Sequence, residues 1–430
     1  MNLHQMATDS RKAFYEIAVS KESVRNRVLL SLIDILSEKS DDIYAANQLD
    51  LAEAKSNHLA APLLHRLLFG PEKLSQVTDG LRSLIALEDP IGRTTLATEI
   101  TEDLRLFRVT CPIGVIGVIF ESRPDALVQI ASLCIKSGNA VLLKGGHEAY
   151  RTNLVLTGCI QRALQPYLPP ETVQLLESRE DVSAMLKEDH LIDLIIPRGS
   201  NAFVRYIIEN SNIPVLGHAD GICHVYIDES ADPQTALRVA LDSKIQNVSV
   251  CNAMETLLIH EKAAPSLLPL LYQHFTEAGV EVRGDSRAAL YCPCVPATED
   301  DWSSEYLDYI LSVRVVSSLK DAIDHINFYG SHHTDCIVTN NSDHAEEFMN
   351  KVDSAGTYWN VSTRFADGFV YGLGAEVGIS TGKIHARGPM GLEGLTTYKY
   401  KLFGNGHTMA EMKDGTRSYT HTPLKESCPF

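Results

Sequence analysis

At 430 residues, 44% of them apolar and 22% charged, the chain has ordinary globular composition and is too long for one core, so two or three domains are expected. A formal charge of −17 argues against a nucleic-acid or anionic-membrane partner, since both require a basic surface. No apolar run approaches the roughly 20 residues that span a bilayer, and no signal-peptide pattern opens the chain. The nine cysteines lack zinc-site spacing, the closest pair (Cys292 and Cys294) having no second half, so free thiols, no metal and a reducing, cytoplasmic compartment are expected.

In chain order, the first ninety residues are helical by pattern, with helices over 23–38 and 43–58, and Pro90 and Gly92 end this bundle. Residues 100–109 alternate like an exposed strand or hairpin. A dense α/β region follows. VIGVIF (115–120) reads as a buried parallel strand, and Arg123-Pro124-Asp125 opens a helix to about Lys136. AVLL (140–143) is the next strand, followed by Lys144-Gly145-Gly146 and a helix from about Glu148 to Gln165. Strands at 173–176 and 191–196 follow, the second leading through Pro197-Arg198-Gly199-Ser200 into a helix over 202–209. Strand, glycine turn, helix, repeated, is the grammar of a doubly wound parallel sheet. Such sheets bind ligands beyond the carboxyl ends of their strands. LLKGGHE and IIPRGSNA mark two of those ends, the second with Ser200 as potential N-cap of a phosphate-binding helix terminus. Neither G-x-G-x-x-G nor G-x-x-x-x-G-K-[ST] is present, which excludes a standard Rossmann fingerprint and a P-loop.

From about Pro233 the α/β pattern restarts, with a helix over 234–246, a strand over 255–260, and strands near 312–316 and 336–339 flanking a helix over 319–327. Cys251 stands at the first helix-to-strand junction among small and polar residues (Asn247, Ser249, Asn252, Ala253). A thiol there is either an accessible nucleophile, which backbone N–H groups at the junction can assist, or a small buried hydrophobe. Residues 359–369 and 372–388 are glycine- and polar-rich, as pocket linings are. Residues 395–403 alternate again, and the last dozen read as a loose tail.

Seven segments in one order, CPIGVIGVIFESRPDA, VLLKGGHEAYRTN, IPRGSNAFVRYI, VCNAME, HTDCIVTN, WNVSTRFADGF and KIHARGPMGLEGLTTYKY, resemble the γ-glutamyl phosphate reductases (glutamate-5-semialdehyde dehydrogenases), a branch of the aldehyde dehydrogenase superfamily. The resemblance implies an α/β aldehyde dehydrogenase-like fold: two doubly wound α/β domains and a small β oligomerisation element. It places an NADPH-binding domain at 1–98 and 112–232, a catalytic thiol domain at 233–390, the oligomerisation element at 99–111 and 391–412, and a tail at 413–430. The implied activity is NADPH-dependent reductive dephosphorylation of L-glutamyl 5-phosphate to L-glutamate 5-semialdehyde and phosphate, the second step of proline biosynthesis from glutamate. Cys251 would attack the acyl phosphate to give a thioester, with backbone N–H groups near Cys251 and Asn252 holding the oxyanion.

Residue by residue, the resemblance puts Arg123 where aldehyde-oxidising relatives carry an oxyanion-donating asparagine. Arginine suits a phosphoryl leaving group, although an ion pair with Glu121 or Asp125 is the alternative. Val215 falls where those relatives carry the glutamate that activates hydrolytic water, a base this chemistry does not need. For NADPH, Lys144, Gly145 and Gly146 form the adenosine-ribose turn. His147 replaces the glutamate of NAD-preferring relatives and favours a 2′-phosphate. Arg198, Gly199 and Ser200 match the pyrophosphate turn, and Glu305 the nicotinamide ribose. The glutamyl head group points to Ser362, Thr363, Arg364 and Arg387, with His385 structural. An alternating edge needs a partner, so a homo-oligomer, a dimer or a dimer of dimers, is expected. With no kinase segment ahead of Met1, the labile acyl phosphate would come from a separate glutamate 5-kinase, whose transient association is plausible. Two other readings are a broad NAD-dependent aldehyde oxidase, opposed by Arg123 and the missing glutamate, and a catalytically silent scaffold, opposed by Cys251.

Overall fold

The computed structural model describes residues 2–59, 61–121, 123–177, 180–217 and 220–429. The chain divides into two units, one made of Met1–Leu216, Leu373–Gly378 and Met390–Phe430, the other of Gly217–Gly372 and Ile379–Pro389.

Unit one opens with helices α1 (Leu3–Ile17), α2 (Glu22–Glu38), α3 (Ser40–Ser56), α4 (Ala61–Leu67) and α5 (Pro71–Ala86), as the pattern before Pro90 requires. Helix α2 buries Val28, Leu29, Leu32, Ile33 and Leu36, spaced three and four apart on one face. Strands β1 (Thr94–Thr101) and β2 (Leu104–Pro112) form the expected hairpin. Then come β3 (Val115–Ile119), α6 (Pro124–Lys136), β4 (Ala140–Lys144), α7 (Tyr150–Leu164), β5 (Val173–Leu175), α8 (Glu180–Met185), β6 (Leu194–Pro197) and α9 (Asn201–Asn210). The strands make a parallel sheet in the order β5-β4-β3-β6. Every residue of β3 and β4 is buried, which is why these runs are apolar rather than alternating.

Unit two contains β7 (Cys223–Ile227), α10 (Pro233–Ile245), β8 (Met254–His260), α11 (Ala264–Glu277), β9 (Glu281–Gly284), β10 (Val295–Pro296), β11 (Ile310–Val316), α12 (Leu319–Tyr329), β12 (Thr334–Val338), α13 (Ser342–Lys351) and β13 (Gly356–Trp359). Seven strands pair in the order β10-β9-β11-β8-β7-β12-β13, all parallel. Strand β7 was not expected, and it moves the boundary between the units. The sequence reading starts the thiol domain at 233, but β7 lies between β8 and β12, so the break falls after Leu216. Two short strands follow, β14 (Gly378–Ser380) and β15 (Gly388–Met390).

The chain then returns to unit one with β16 (Thr396–Phe403), α14 (Met409–Lys413) and β17 (Thr422–Pro423). These complete an antiparallel sheet in the order β16-β2-β1-β17. The tail is therefore not wholly loose, because Thr422 and Pro423 pair with Glu99 and Thr98. Among the described residues no helix is long and apolar enough to cross a membrane.

Two buried polar devices fix where strands begin. In unit one the Asn139 side chain, fully buried, accepts from the Gly114 N–H (2.9 Å) and donates to the Leu395 carbonyl (2.8 Å), tying together the approaches to β3, β4 and β16. In unit two, β8 carries an extra residue against β7: Cys223 faces Met254, but the next residue, His224, faces Thr256. Glu255 is the residue left over, and such bulges re-aim side chains. Its carboxylate, fully buried, takes a 2.6 Å ion pair from the equally buried Lys244 of α10 and a hydrogen bond from the Leu307 N–H at 3.2 Å. Burial pushes Glu255 up to about 7 despite the opposing pull of Lys244, and burial draws Lys244 below the usual lysine range.

Asn139→Ala should cost about 3 kcal/mol, since two buried backbone groups lose their partner, and should lower the urea midpoint. Lys244→Met should cost about 3–5 kcal/mol by stranding a buried carboxylate. The double variant Lys244→Met/Glu255→Leu should recover most of that loss, because removing both charges also removes their desolvation cost. Urea denaturation of the three proteins checks this.

Candidate active site

Cys251 sits in the turn between α10 and β8, half-buried, while Asn252 and the residues after it are buried. The predicted helix-to-strand junction is therefore present. One part of the expectation changes: the turn follows the carboxyl end of α10, and a helix end there offers carbonyls rather than N–H donors. Positive charge comes instead from Arg364. Burial draws its guanidinium below the usual arginine range, and the first of the negative charges holding it up is Cys251, followed by Asp242 and Asp367. The Arg364 Nε donates to Gln246 Oε1 at 2.8 Å, fixing the guanidinium against the end of α10.

The backbone of the turn is held on several sides. Gly221 lies flat against it, and a Cβ there would come within 2.2 Å of the Cys251 carbonyl oxygen and 2.6 Å of its Cα. The Cys223 thiol reaches the Cys251 carbonyl (3.3 Å), and the Thr363 hydroxyl donates to the Asn252 carbonyl (2.7 Å). The Asn252 side-chain amide donates to Ala366 O at 3.0 Å and lies 3.4 Å from Arg364 O. The Asn252 side chain thus joins the turn to the 362–366 segment.

Ser362 and Thr363 are buried and face inward: Ser243 Oγ bonds Ser362 Oγ (3.2 Å) and accepts from the Thr363 N–H (3.2 Å). They brace the segment that carries Arg364, and for Thr363 this leaves no surface for a head group. Arg387 donates through Nη2 to the Asp353 carbonyl (2.9 Å) and carboxylate (3.1 Å), while its buried Nε meets no acceptor among the described residues. Glu305 is half-buried, and its neighbours are anchored: Tyr306 donates to Asp301 (2.7 Å), and Leu307 binds Glu255. The Glu305 charge is a minor cause, after burial, of the upward shift of Glu255.

In unit one the two predicted turns end β4 and β6. Lys144 is buried, and its Nζ donates to the Gly145 carbonyl at 2.6 Å. A Cβ at Gly145 would come within 2.3 Å of Asn153 Nδ2, and one at Gly146 within 2.1 Å of Glu148 Oε1, so glycine is required here by the close packing of the turn against its own neighbours. His147 is exposed and opens a short 3₁₀ turn, its ring 6.2 Å from that of Tyr150. Acidic side chains also gather here: burial and the Glu148 charge raise Glu121, the sort of neighbourhood a sequence motif does not reveal. Arg198 approaches Glu376 at 3.9 Å, and Gly199 runs close beside Phe203 and Glu121. Ser200 is the N-cap of α9 but makes no side-chain capping bond, so it does not compete for the first-turn N–H groups that an anion would use. The α9 terminus behind the Arg198 turn fits the diphosphate of a nicotinamide dinucleotide.

Arg123 is the N-cap residue of α6 and pairs with Asp125 at 3.1 Å, which selects Asp125 over Glu121 among the ion pairs left open by the sequence. Asp125 is buried and also faces Lys73 at 3.6 Å, while Arg123 stays 44% exposed, so one end of its guanidinium is anchored and donors remain. Val215 packs partly buried against the apolar core of unit one. Sequence reasoning missed Gly221 and Cys223. Only a glycine directly before an apolar run hinted at the first, and nothing singled out the second.

Comparison with known proteins supplies the family. The family model for the aldehyde dehydrogenase family matches residues 1–308. The chain is 54% identical to a γ-glutamyl phosphate reductase of Acetivibrio thermocellus over 431 residues, covering all of both chains, and 51% identical to γ-glutamyl phosphate reductase 1 of Synechocystis over 424 residues, covering 98% of each. Among solved structures it matches the γ-glutamyl phosphate reductase of Thermotoga maritima with a TM-score of 0.93 at 37% identity, covering 95% of this chain and 100% of that one. The propionaldehyde dehydrogenase of Rhodopseudomonas palustris shares the fold at 15% identity with a TM-score of 0.64. The chain therefore belongs to the γ-glutamyl phosphate reductases (glutamate-5-semialdehyde dehydrogenases), oxidoreductases of the aldehyde dehydrogenase family.

Proposed function

We propose that the protein reduces L-glutamyl 5-phosphate to L-glutamate 5-semialdehyde and phosphate with NADPH, through a thioester on Cys251. The observation that carries this reading is the half-buried Cys251 in a turn whose own carbonyl and that of Asn252 are both engaged, and to which the segment carrying Arg364 is bonded. The thiolate sulfur attacks the acyl carbon, and the carbonyl oxygen takes up negative charge toward the N–H of Asn252. The tetrahedral adduct collapses by breaking the carbon–oxygen bond to phosphate, and Arg123 receives the departing dianion. When bound, NADPH supplies a hydride. That hydride would reduce the thioester carbon, and the chain's part would be to hold the thiohemiacetal on Cys251 until its hydroxyl gives up the proton, the carbon–oxygen double bond forms and the carbon–sulfur bond breaks, freeing the aldehyde and restoring Cys251.

The cofactor is assigned to Lys144, Gly145, Gly146, His147, Arg198, Gly199 and Ser200, with Glu305 toward the nicotinamide ribose. A histidine rather than a carboxylate at 147 supports NADPH. For the glutamyl α-carboxylate, Arg364 and Arg387 supply cations, with Ser362 and Thr363 setting the position of the former. Strand β16 presents Tyr398, Tyr400 and Leu402, each more than half exposed, on the edge of its sheet. An apolar edge of this kind supports a homo-oligomer, a dimer or a dimer of dimers. A cytoplasmic location and supply of the acyl phosphate by a transiently associated glutamate 5-kinase complete the reading.

The test is the reverse assay, with semialdehyde, NADP and inorganic phosphate followed at the nicotinamide absorbance. Cys251→Ser should abolish it while sparing NADPH binding; turnover within about tenfold of the parent would remove Cys251 as nucleophile, since that amounts to no more than about 1.4 kcal/mol of barrier. Arg123→Asn should raise the phosphate KM about ten- to a hundredfold with NADP binding unchanged, the effect of losing a charge-assisted contact. A normal phosphate KM would reduce Arg123 to its ion pair with Asp125.

A further inference from the structure

Cys223 is the first residue of β7, fully buried, and its Sγ stands 3.3 Å from the carbonyl oxygen of Cys251 and 3.7 Å from His333 Nδ1. Burial drives this thiol well above the ordinary cysteine range, so it keeps its proton and remains a donor. The carbonyl it meets belongs to the peptide that joins Cys251 to Asn252. That peptide is planar and trans, so its C=O and N–H point in opposite directions. Anchoring the oxygen against Cys223 turns the Asn252 N–H away from β7. The next carbonyl, that of Asn252, is fixed independently by Thr363, and Gly221 closes the remaining side against Cys251. Rotation of the peptide is thereby opposed at both ends.

We infer that Cys223 is a positioning residue, whose thiol holds the Cys251 carbonyl so that the Asn252 N–H is aimed at the oxyanion formed during acyl transfer. This rests on Cys251 being the nucleophile. Oxyanion donors accelerate a reaction only when they are already in place, and losing one costs about a hundredfold or more. A donor left present but free to turn should cost less, about tenfold or more.

Three proteins test the inference: Cys223→Val, of similar size but without a donor; Cys223→Ala, smaller and equally without one, in case the valine protein does not fold; and Cys223→Ser, which keeps a donor. In the reverse assay the valine or alanine protein should lose about tenfold or more in kcat with KM for semialdehyde and phosphate nearly unchanged, and serine should recover most of the loss. Alkylation of Cys251 by iodoacetamide, a displacement at saturated carbon that forms no oxyanion, should proceed at the parent rate in all of them. Parent-like kcat without the donor, an equal loss in the serine protein, or slowed alkylation of Cys251 would each overturn the inference. Failure of the underlying reading registers separately, as turnover by Cys251→Ser.

Discussion

The geometry of the thiol turn depends on one close approach, that of Gly221 to the backbone of Cys251. No Cβ fits between them. The cause is the parallel pairing of β7 with β8, which starts both strands at the same edge of the sheet and brings the segments that lead into them side by side. Cys223, two residues past Gly221, then falls beside the Cys251 carbonyl without any further device. The extra residue in β8 follows at once, and its side chain is the buried Glu255. A bulge at this point lets β8 satisfy two demands within a few residues: a turn that presents a thiol, and a carboxylate directed to Lys244 on the helix that leads into the same turn. The ion pair ties the end of α10 to the start of β8, so the loop between them is short of freedom from both ends.

Electrostatics sharpen the picture. A chain carrying −17 cannot gather an anionic substrate by its overall field, so cations have to be local and already aimed. Four of the candidate cations are held by a hydrogen-bonded neighbour. Gln246 holds Arg364, Asp353 holds Arg387, Asp125 holds Arg123, and the Gly145 carbonyl holds Lys144. In three of the four, part of the guanidinium is occupied and part remains. This suits bidentate groups, which can share an anchor and a ligand in a way an ammonium cannot.

How far the sequence carries can be judged from particular residues. The α/β alternation located β3, β4, α6 and α7 to within a few residues because apolar strands covered on both faces differ sharply from the glycine turns between them. The turn at Cys251 was legible for a related reason, the change from helical to strand periodicity across a polar gap. Strand β7 was not legible: CHVYI is five residues long, contains a histidine, and follows a glycine-containing stretch that reads as loop. Its histidine is tolerated inside because Asp335 accepts from both the His224 N–H and its ring at 2.8 Å, a pairing made across 111 positions. Likewise Thr363 has the look of a pocket residue beside Arg364, but its partner is a carbonyl 111 positions away. Short polar motifs announce that a site is near; they do not distinguish the groups that face the ligand from those that hold the former in place.

That distinction bears on how the turn can be both rigid and reactive. A backbone N–H that serves an oxyanion must be left without a protein acceptor, while the groups on either side of it must not be free, or the peptide would rotate to satisfy itself. Here the two carbonyls flanking Asn252 are taken by the side chains of Cys223 and Thr363, and the Asn252 amide by the 364–366 backbone. The weak donor is the one placed next to the nucleophile. A thiol is large enough to fill its fully buried position at the start of β7 and polar enough to orient a carbonyl. A hydroxyl there would keep the donor but would be smaller and fill the position less well. The arrangement therefore draws its precision from packing in the parallel sheet, with hydrogen bonds choosing the peptide's orientation rather than supplying its stability.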